Sequence, residues 1–551
     1  MRLRRLAAML TAGALLVGAC GSGGKDKAPT GSQAGSVHPA SIARLRLAGG
    51  DYGYPSPFAY VRGAGLIMCS YIFDTLLWTD STGNPIPWLA KEWTHSPDGL
   101  EWHFTLRDNA TWQDGQPVTA EDVKFSFDYV TTGAAASISR LAPSLDLKEV
   151  VVDSPTSVVV RLNKPTAVFE DDVAERLFII PKHVWSTVTD PAKFRGANAV
   201  MGSGPYKLAS EDEASGSYLF TANDSFYLGS PYVKRIELVP APDELLALQR
   251  GQLDAGELLE DPAPEAQIKA FEANKEFTEL DGSYDWMLAL HVNLSKGFPY
   301  DNKDFRHAIA YALDRKDMVD RLLGGRGEPE SVGGLTVGHP MLAPDLPTYD
   351  HDAAKAKSLL DGLGLKDTNG DGLRELPDGK PFVVEIQGNN RFSSKSAELI
   401  KEYLHDVGID VRISILDKAV ADDNAGKGNY TMALIGYGGM TGDPDQNLRS
   451  RYAASPKSTS FTRAVGYSNP EVTQLATKQL VTLDPVQRTS LVQQIQRIVA
   501  DDIPIIPLYT PKRMTFYKAG IFDNWYYTPG CTPCRGTRNK HMLVTGKKTG
   551  F

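Results

Sequence analysis

Residues 101–130 read EWHFTLRDNATWQDGQPVTAEDVKFSFDYV, and this stretch decides the fold. Trp102, Phe104 and Leu106 alternate with His103 and Thr105, the period-two pattern of a half-buried strand. Asp114-Gly115 makes a turn. Thr119 then stands where a helix N-cap belongs, with Glu121 and Asp122 in the first turn. Val123, Phe127 and Val130 follow at helical spacing. The segment reads strand, turn, capped helix, and it points to an α/β protein.

The same alternation recurs further along. Residues 304–315, DFRHAIAYALDR, place Phe305, Ala308, Ile309 and Ala312 on one apolar face behind Asp304 as N-cap. Residues 381–386 (PFVVEI) read as a strand, 398–406 as a helix closed by Gly408, and 411–415 and 431–435 as two more strands. That is a β-α-β unit, which requires parallel strands and a right-handed crossover.

Composition sets the scale. The chain has 551 residues, 42% hydrophobic and 23% charged, in the range of a globular protein. It is too long for a single core, so two or three domains are expected. At its start Arg2, Arg4 and Arg5 form a basic region, and Leu6 to Gly18 an apolar stretch too short to span a bilayer. Val17-Gly18-Ala19 then lead to Cys20, a pattern that resembles a bacterial lipobox, with Cys20 the acylated first residue of the mature protein. Residues 1–19 are thus read as a lipoprotein signal peptide and 20–40, rich in Gly, Ser, Ala and Lys, as a flexible leash. The net charge is −9, or −12 without the three leader arginines, and no basic tract exists to engage nucleic acid. Cys531 and Cys534 in GCTPCRG are expected as a disulfide outside the cytoplasm. A redox C-x-P-C would open a helix after a strand, which the flanking Pro529-Gly530 and Arg535-Gly536 do not favour. Cys69 in GLIMCSYIF reads as a small buried hydrophobe.

A strand ending in R-x-N-A-x-W-x-D-G and followed by P-V-T-A-E-D-V resembles the signature of the family 5 extracellular solute-binding proteins, the receptors of dipeptide, oligopeptide and nickel ABC importers. The resemblance continues through Gly202-Ser203-Gly204-Pro205-Tyr206-Lys207-Leu208, Leu248 to Asp254 (LQRGQLD), Asn293, and the helix from Asp304 to Arg315. It implies a periplasmic-binding-protein-like fold (type II, cluster C), with two α/β lobes around a cleft plus an extra domain. Carried over, domain I takes 41–76, 200–288 and 501–551, domain II takes 77–199, and domain III takes 289–500. It also implies hinge closure around the ligand, an ABC permease and ATPase as partners, a monomer, and a peptide or other small solute as cargo. The lipid on Cys20 would hold the receptor near its transporter.

In peptide receptors of this family an Asp just before a G-D-P-D stretch grips the ligand's free amine. Aligning Gly442-Asp443-Pro444-Asp445 puts Met440 at that position. Either Asp443 takes the role, or the ligand has no free α-amine; a third reading makes Asp443-Pro444-Asp445 a simple capping turn. Tyr52, Tyr54, Tyr284, Trp286 and Tyr437 are candidate ligand walls, and Arg391 a candidate partner of a ligand carboxylate. Each aromatic also reads as ordinary core, and Arg391 as a solvated charge. Asp367, Asn369 and Asp371, with Gly372 at position six, match the start of a calcium loop. Leu373 supplies the position-seven carbonyl and Asp378 stands twelfth, where a bidentate Glu is usual. No other cofactor is expected. The rival class is a secreted lipoprotein hydrolase. The chain has no G-x-S-x-G elbow, H-E-x-x-H or Walker A loop, S-x-x-K occurs only at Ser22 to Lys25, and no histidine pair has metal spacing. An oligosaccharide or other amine-free solute is the alternative ligand within the receptor class.

Overall fold

The computed structural model describes residues 41–60, 62–132, 145–258, 265–280, 282, 286–389, 393–438, 442–454, 458, 460–529 and 538–551. Cys20, Tyr284, Arg391, Met440, Cys531 and Cys534, with the leader and leash, lie outside the described residues.

The opening stretch folds as its pattern predicts. Strand Glu101–Leu106 pairs antiparallel with Ala90–His95 and Ser157–Leu162, and Leu147–Ser154 closes a four-stranded sheet. Trp102, Phe104 and Leu106 are buried while His103 is exposed. Thr119 caps helix Ala120–Thr131: its amide donates to Asp122 Oδ2 at 2.9 Å and its hydroxyl to the same oxygen at 3.0 Å. Val123, Phe127 and Val130 face inward. The second sheet of this region runs Leu45–Gly49, Arg235–Pro240, Ser217–Ala222, Tyr206–Asp212, its first pair parallel. Both sheets contribute to one large core that also holds Trp78, Trp88, Trp185 and the buried, unpaired Cys69.

The C-terminal half is built on a six-stranded mixed sheet, ordered Gly327–Pro329, Ile505–Pro511, Trp286–Val292, Met432–Gly438, Val383–Asn389, Asp410–Leu416. Along the central strand Leu288, Leu290 and Val292 enter one core, and Met287 and Ala289 enter another on the opposite face. Both faces are therefore covered, which is why the strand reads as almost continuously apolar. The β-α-β unit is present: Val383–Asn389 runs parallel to both Asp410–Leu416 and Met432–Gly438. Its helix, Ser394–Asp406, ends before Gly408 at φ +86°. One cap differs from expectation. Helix Lys303–Ala312 is capped by Asn302, whose Oδ1 accepts the Asp304 amide at 2.8 Å. Asp304 lies inside the first turn, where its charge suits the positive helix end.

The chain passes between the two halves after Leu280 and again after Pro511. Strand Phe277–Leu280 belongs to a three-stranded sheet with Ala255–Leu258 and Met514–Lys518, whereas Trp286–Val292 is already in the six-stranded one. On the return, Ile505–Pro511 is still in the six-stranded sheet and Met514–Lys518 is not. The expected break at 500/501 instead falls within helix Pro485–Asp502, because sheet pairing of the following strand holds it in the second half. The two crossings touch. A Cβ on Gly282 would stand 1.6 Å from the Arg513 carbonyl oxygen, so only glycine lets the segments lie side by side. Gly282→Ala is expected to lower Tm by several degrees and to alter the opening of the two halves, which small-angle scattering with and without ligand would register. An unchanged melt and scattering profile would mean that the close approach does not constrain the hinge.

Among the described residues no helix is long and apolar enough to cross a membrane.

Candidate functional site

The carboxyl end of Leu45–Gly49, paired parallel with Arg235–Pro240, leads directly to Tyr52, at the edge where open α/β sheets place their ligands. Tyr52 is half-buried and lies parallel to Tyr218, ring centres 6.5 Å apart and planes 8° apart. The Tyr218 hydroxyl donates to the Gly53 carbonyl at 3.0 Å and fixes that stack. The Arg538 guanidinium stands 5.9 Å from the Tyr52 ring centre. Tyr54 is different. It is buried, its hydroxyl donates to the Gly196 carbonyl and accepts the Gly196 amide, each at 3.1 Å, and Arg195 covers its ring. It packs the first half together and offers no free face.

In the second half Trp286 opens its strand opposite Gly438, half-buried. Its indole fills the space where Gly436 would carry a side chain, since a Cβ there would meet Cζ2 at 2.0 Å. Tyr437 is buried. Arg451 lies over its ring at 3.8 Å and His291 meets it edge-on at 5.9 Å. Burial pushes the Tyr437 hydroxyl up to about 12 despite Arg451. His291 is held neutral, its pKa brought down to about 3 by burial first and by Arg451 second. Tyr437 therefore packs in the core on one face of the sheet rather than forming an exposed wall.

Asp443 is engaged. Arg488 donates to both its oxygens, Nη1 to Oδ2 at 2.6 Å and Nη2 to Oδ1 at 2.7 Å. The same carboxylate caps helix Pro444–Tyr452 through the Asp445 amide at 2.9 Å. Of the three sequence readings, the capping turn describes what Asp443 does here. Asp445, fully buried, is held by Arg449 and by Gln479.

This ion network faces residues of the first half. The Ala167 amide donates to the Leu480 carbonyl at 2.7 Å, and Arg176, paired with Asp172 at 2.7 Å, reaches Gln446 at 3.5 Å. Asp171 lies beside them and is pushed up to about 6 by burial first, then by Asp443, Asp172 and Glu170. Neither Arg488 nor Asp171 stands out in the sequence, because their neighbours come from remote segments.

The acidic loop also departs from expectation. Asp367, Asp371 and Glu375 bring carboxylate oxygens within 4.8 Å of one another, a set able to hold a divalent cation. Asp378 turns away to Lys380 at 2.6 Å, and Glu375 takes the ninth position. Asn369 and Thr368 donate to Glu375, and Asp371 Oδ1 accepts the Leu373 amide at 2.8 Å.

Two α/β halves joined by adjacent crossings, with aromatic and charged groups where they meet, have the architecture of a ligand-binding protein. Residues 84–459 match the family model for bacterial extracellular solute-binding proteins, family 5 (middle region), and the chain belongs to that family. It is 30% identical over 440 residues to the probable D,D-dipeptide-binding periplasmic protein DdpA of Escherichia coli (strain K12), covering 76% of this chain and 78% of the relative. The fold matches the oligopeptide-binding protein AppA of Bacillus subtilis, solved with a nonapeptide, at TM-score 0.74 and 22% identity, over 91% of this chain and 99% of that one. It also matches a periplasmic oligopeptide-binding protein of Thermotoga maritima, solved with mannohexaose, at TM-score 0.76 and 23% identity, over 92% and 98%. The periplasmic-binding-protein-like class expected from the sequence is the class observed. The chain is a solute-binding receptor of the ABC-importer type.

Proposed function

We propose that this receptor captures peptides outside the cytoplasm and delivers them to an ABC permease, held at the membrane by a lipid on Cys20. It acts as a monomer and catalyses no reaction. The observation that carries the peptide reading is the similarity to DdpA, whose name specifies a dipeptide ligand, over three quarters of the chain. The half-buried Tyr52 at the sheet edge and the two adjacent crossings support capture by closure.

One observation favours a second reading. Both oxygens of Asp443 are held by Arg488, and Met440 aligns in sequence with the family's amine-binding Asp, so an amine-free solute such as an oligosaccharide is the second candidate cargo. Native mass spectrometry of the protein purified gently from its own host decides between them. A co-purifying mass that fragments as a peptide is expected. A sugar-like mass would replace peptide by oligosaccharide and leave the receptor role intact.

A further inference from the structure

Arg538 precedes a buried clamp. Asn539 accepts the Trp78 indole N–H at 2.7 Å and donates to the Thr79 carbonyl and the Thr528 hydroxyl, both at 2.9 Å. Lys540, fully buried, reaches Asp74 at 3.1 Å. The Tyr71 hydroxyl donates to the Arg538 carbonyl at 3.4 Å. The backbone at Arg538 is thus fixed from two sides.

Its side chain is not. Arg538 is half-buried, and its guanidinium makes no hydrogen bond or ion pair among the described residues. The charged groups around it are Glu244 and Glu257, with Tyr52 and Tyr71. Neither acid touches it directly: Glu257 pairs with Arg513 at 3.5 Å, and Glu244 accepts the Glu257 amide at 2.9 Å. An arginine carries five N–H donors and no acceptor, and no nitrogen of this guanidinium is fully enclosed without a partner, so its fork stays open to a ligand. It faces Tyr52, at the sheet edge where ligands of such folds bind.

We propose that Arg538 is the anchor for a carboxylate of the ligand, taken in bidentate fashion beside the Tyr52 ring. Arg is the residue suited to this task because its planar fork matches two carboxylate oxygens. The inference rests on the peptide reading only for the source of the carboxylate, a chain terminus or an acidic side chain.

The test compares binding of Ala-Ala-Ala, its C-terminal amide and the amide of Ala-Glu-Ala to the full chain and to Arg538→Gln and Arg538→Lys, by calorimetry. The wild type is expected to prefer the free acid over the amide by about tenfold or more, since the amide leaves the charged partner unmatched. That ratio should fall to about one in Arg538→Gln, by the same argument, and recover in part in Arg538→Lys. If the amide of Ala-Glu-Ala binds like the free acid, a side chain supplies the carboxylate. Equal binding of acid and amide to the wild type, or a preference that survives Arg538→Gln, overturns the anchor while leaving the peptide reading in place. A parallel arm needs no peptide: thermal melts in acetate against matched chloride. A saturable rise in Tm in the wild type that Arg538→Gln lacks upholds the anchor even if no peptide binds, in which case the peptide reading alone falls. If Arg538→Gln does not fold, Arg538→Lys carries both arms, and the anchor is overturned if neither its acid preference nor its acetate shift is smaller than the wild type's.

Discussion

Lys540→Met is expected to lower the unfolding free energy by about 3–5 kcal/mol, the cost of breaking a buried ion pair from one side. Lys540 and Asp74 are both fully buried, with the ammonium 3.1 Å from Asp74 Oδ1 and lying over the rings of Trp78 and Trp88 at 4.2 and 4.9 Å. Methionine keeps the packing against those rings and removes the charge. Asp74 keeps its bonds from the Trp88 indole at 2.7 Å and the Ser203 hydroxyl at 2.9 Å, but loses its cation. Urea unfolding gives the difference directly. A loss under about 1 kcal/mol would place this pair with surface-type ion pairs and remove the clamp as a stabilising element.

The same lysine sets a pH signature. Burial, only partly offset by Asp74, brings its pKa down from 10.5 to about 8. Between those values the unfolded chain binds more protons than the folded one. Stability from this group therefore rises as pH increases from 8 to 10.5 and is flat below. Lys540→Met should remove that rise from the stability profile.

What the sequence made legible was local. The Thr119–Asp122 cap, the alternation at Trp102 to Leu106 and the β-α-β unit each depend on residues a few positions apart, and each is present. Asn302 displaced Asp304 as cap by a two-residue shift, within the reach of short polar side chains. Glu375, not Asp378, stands with Asp367 and Asp371, because Asp378 is taken up by Lys380. The site itself was less legible. Asp443 could be singled out from its motif, but Arg488, which determines what Asp443 can do, is 45 residues away on another helix. Arg538 carried no motif, and only the fold sets it against Tyr52.

Asp443→Ala is the second replacement expected to cost about 3–5 kcal/mol, because it leaves Arg488 largely buried without its bidentate partner. The lost cap on helix Pro444–Tyr452 adds about 1 kcal/mol. Arg488→Met acts in the opposite electrostatic sense. It strands Asp443 beside Asp171 and Asp172, so three carboxylates share a site with less positive charge. The double replacement removes both members, and its cost should fall short of the summed single costs by about 2–3 kcal/mol, the coupling expected of residues in direct contact. The cycle also decides the chemistry of the pocket. A large coupling means that Asp443 is fully engaged in the empty receptor, so a ligand amine must find its counter-charge elsewhere or be absent. A coupling near zero means that Arg488 lets go of Asp443 in solution, and the carboxylate is then free to meet a ligand amine.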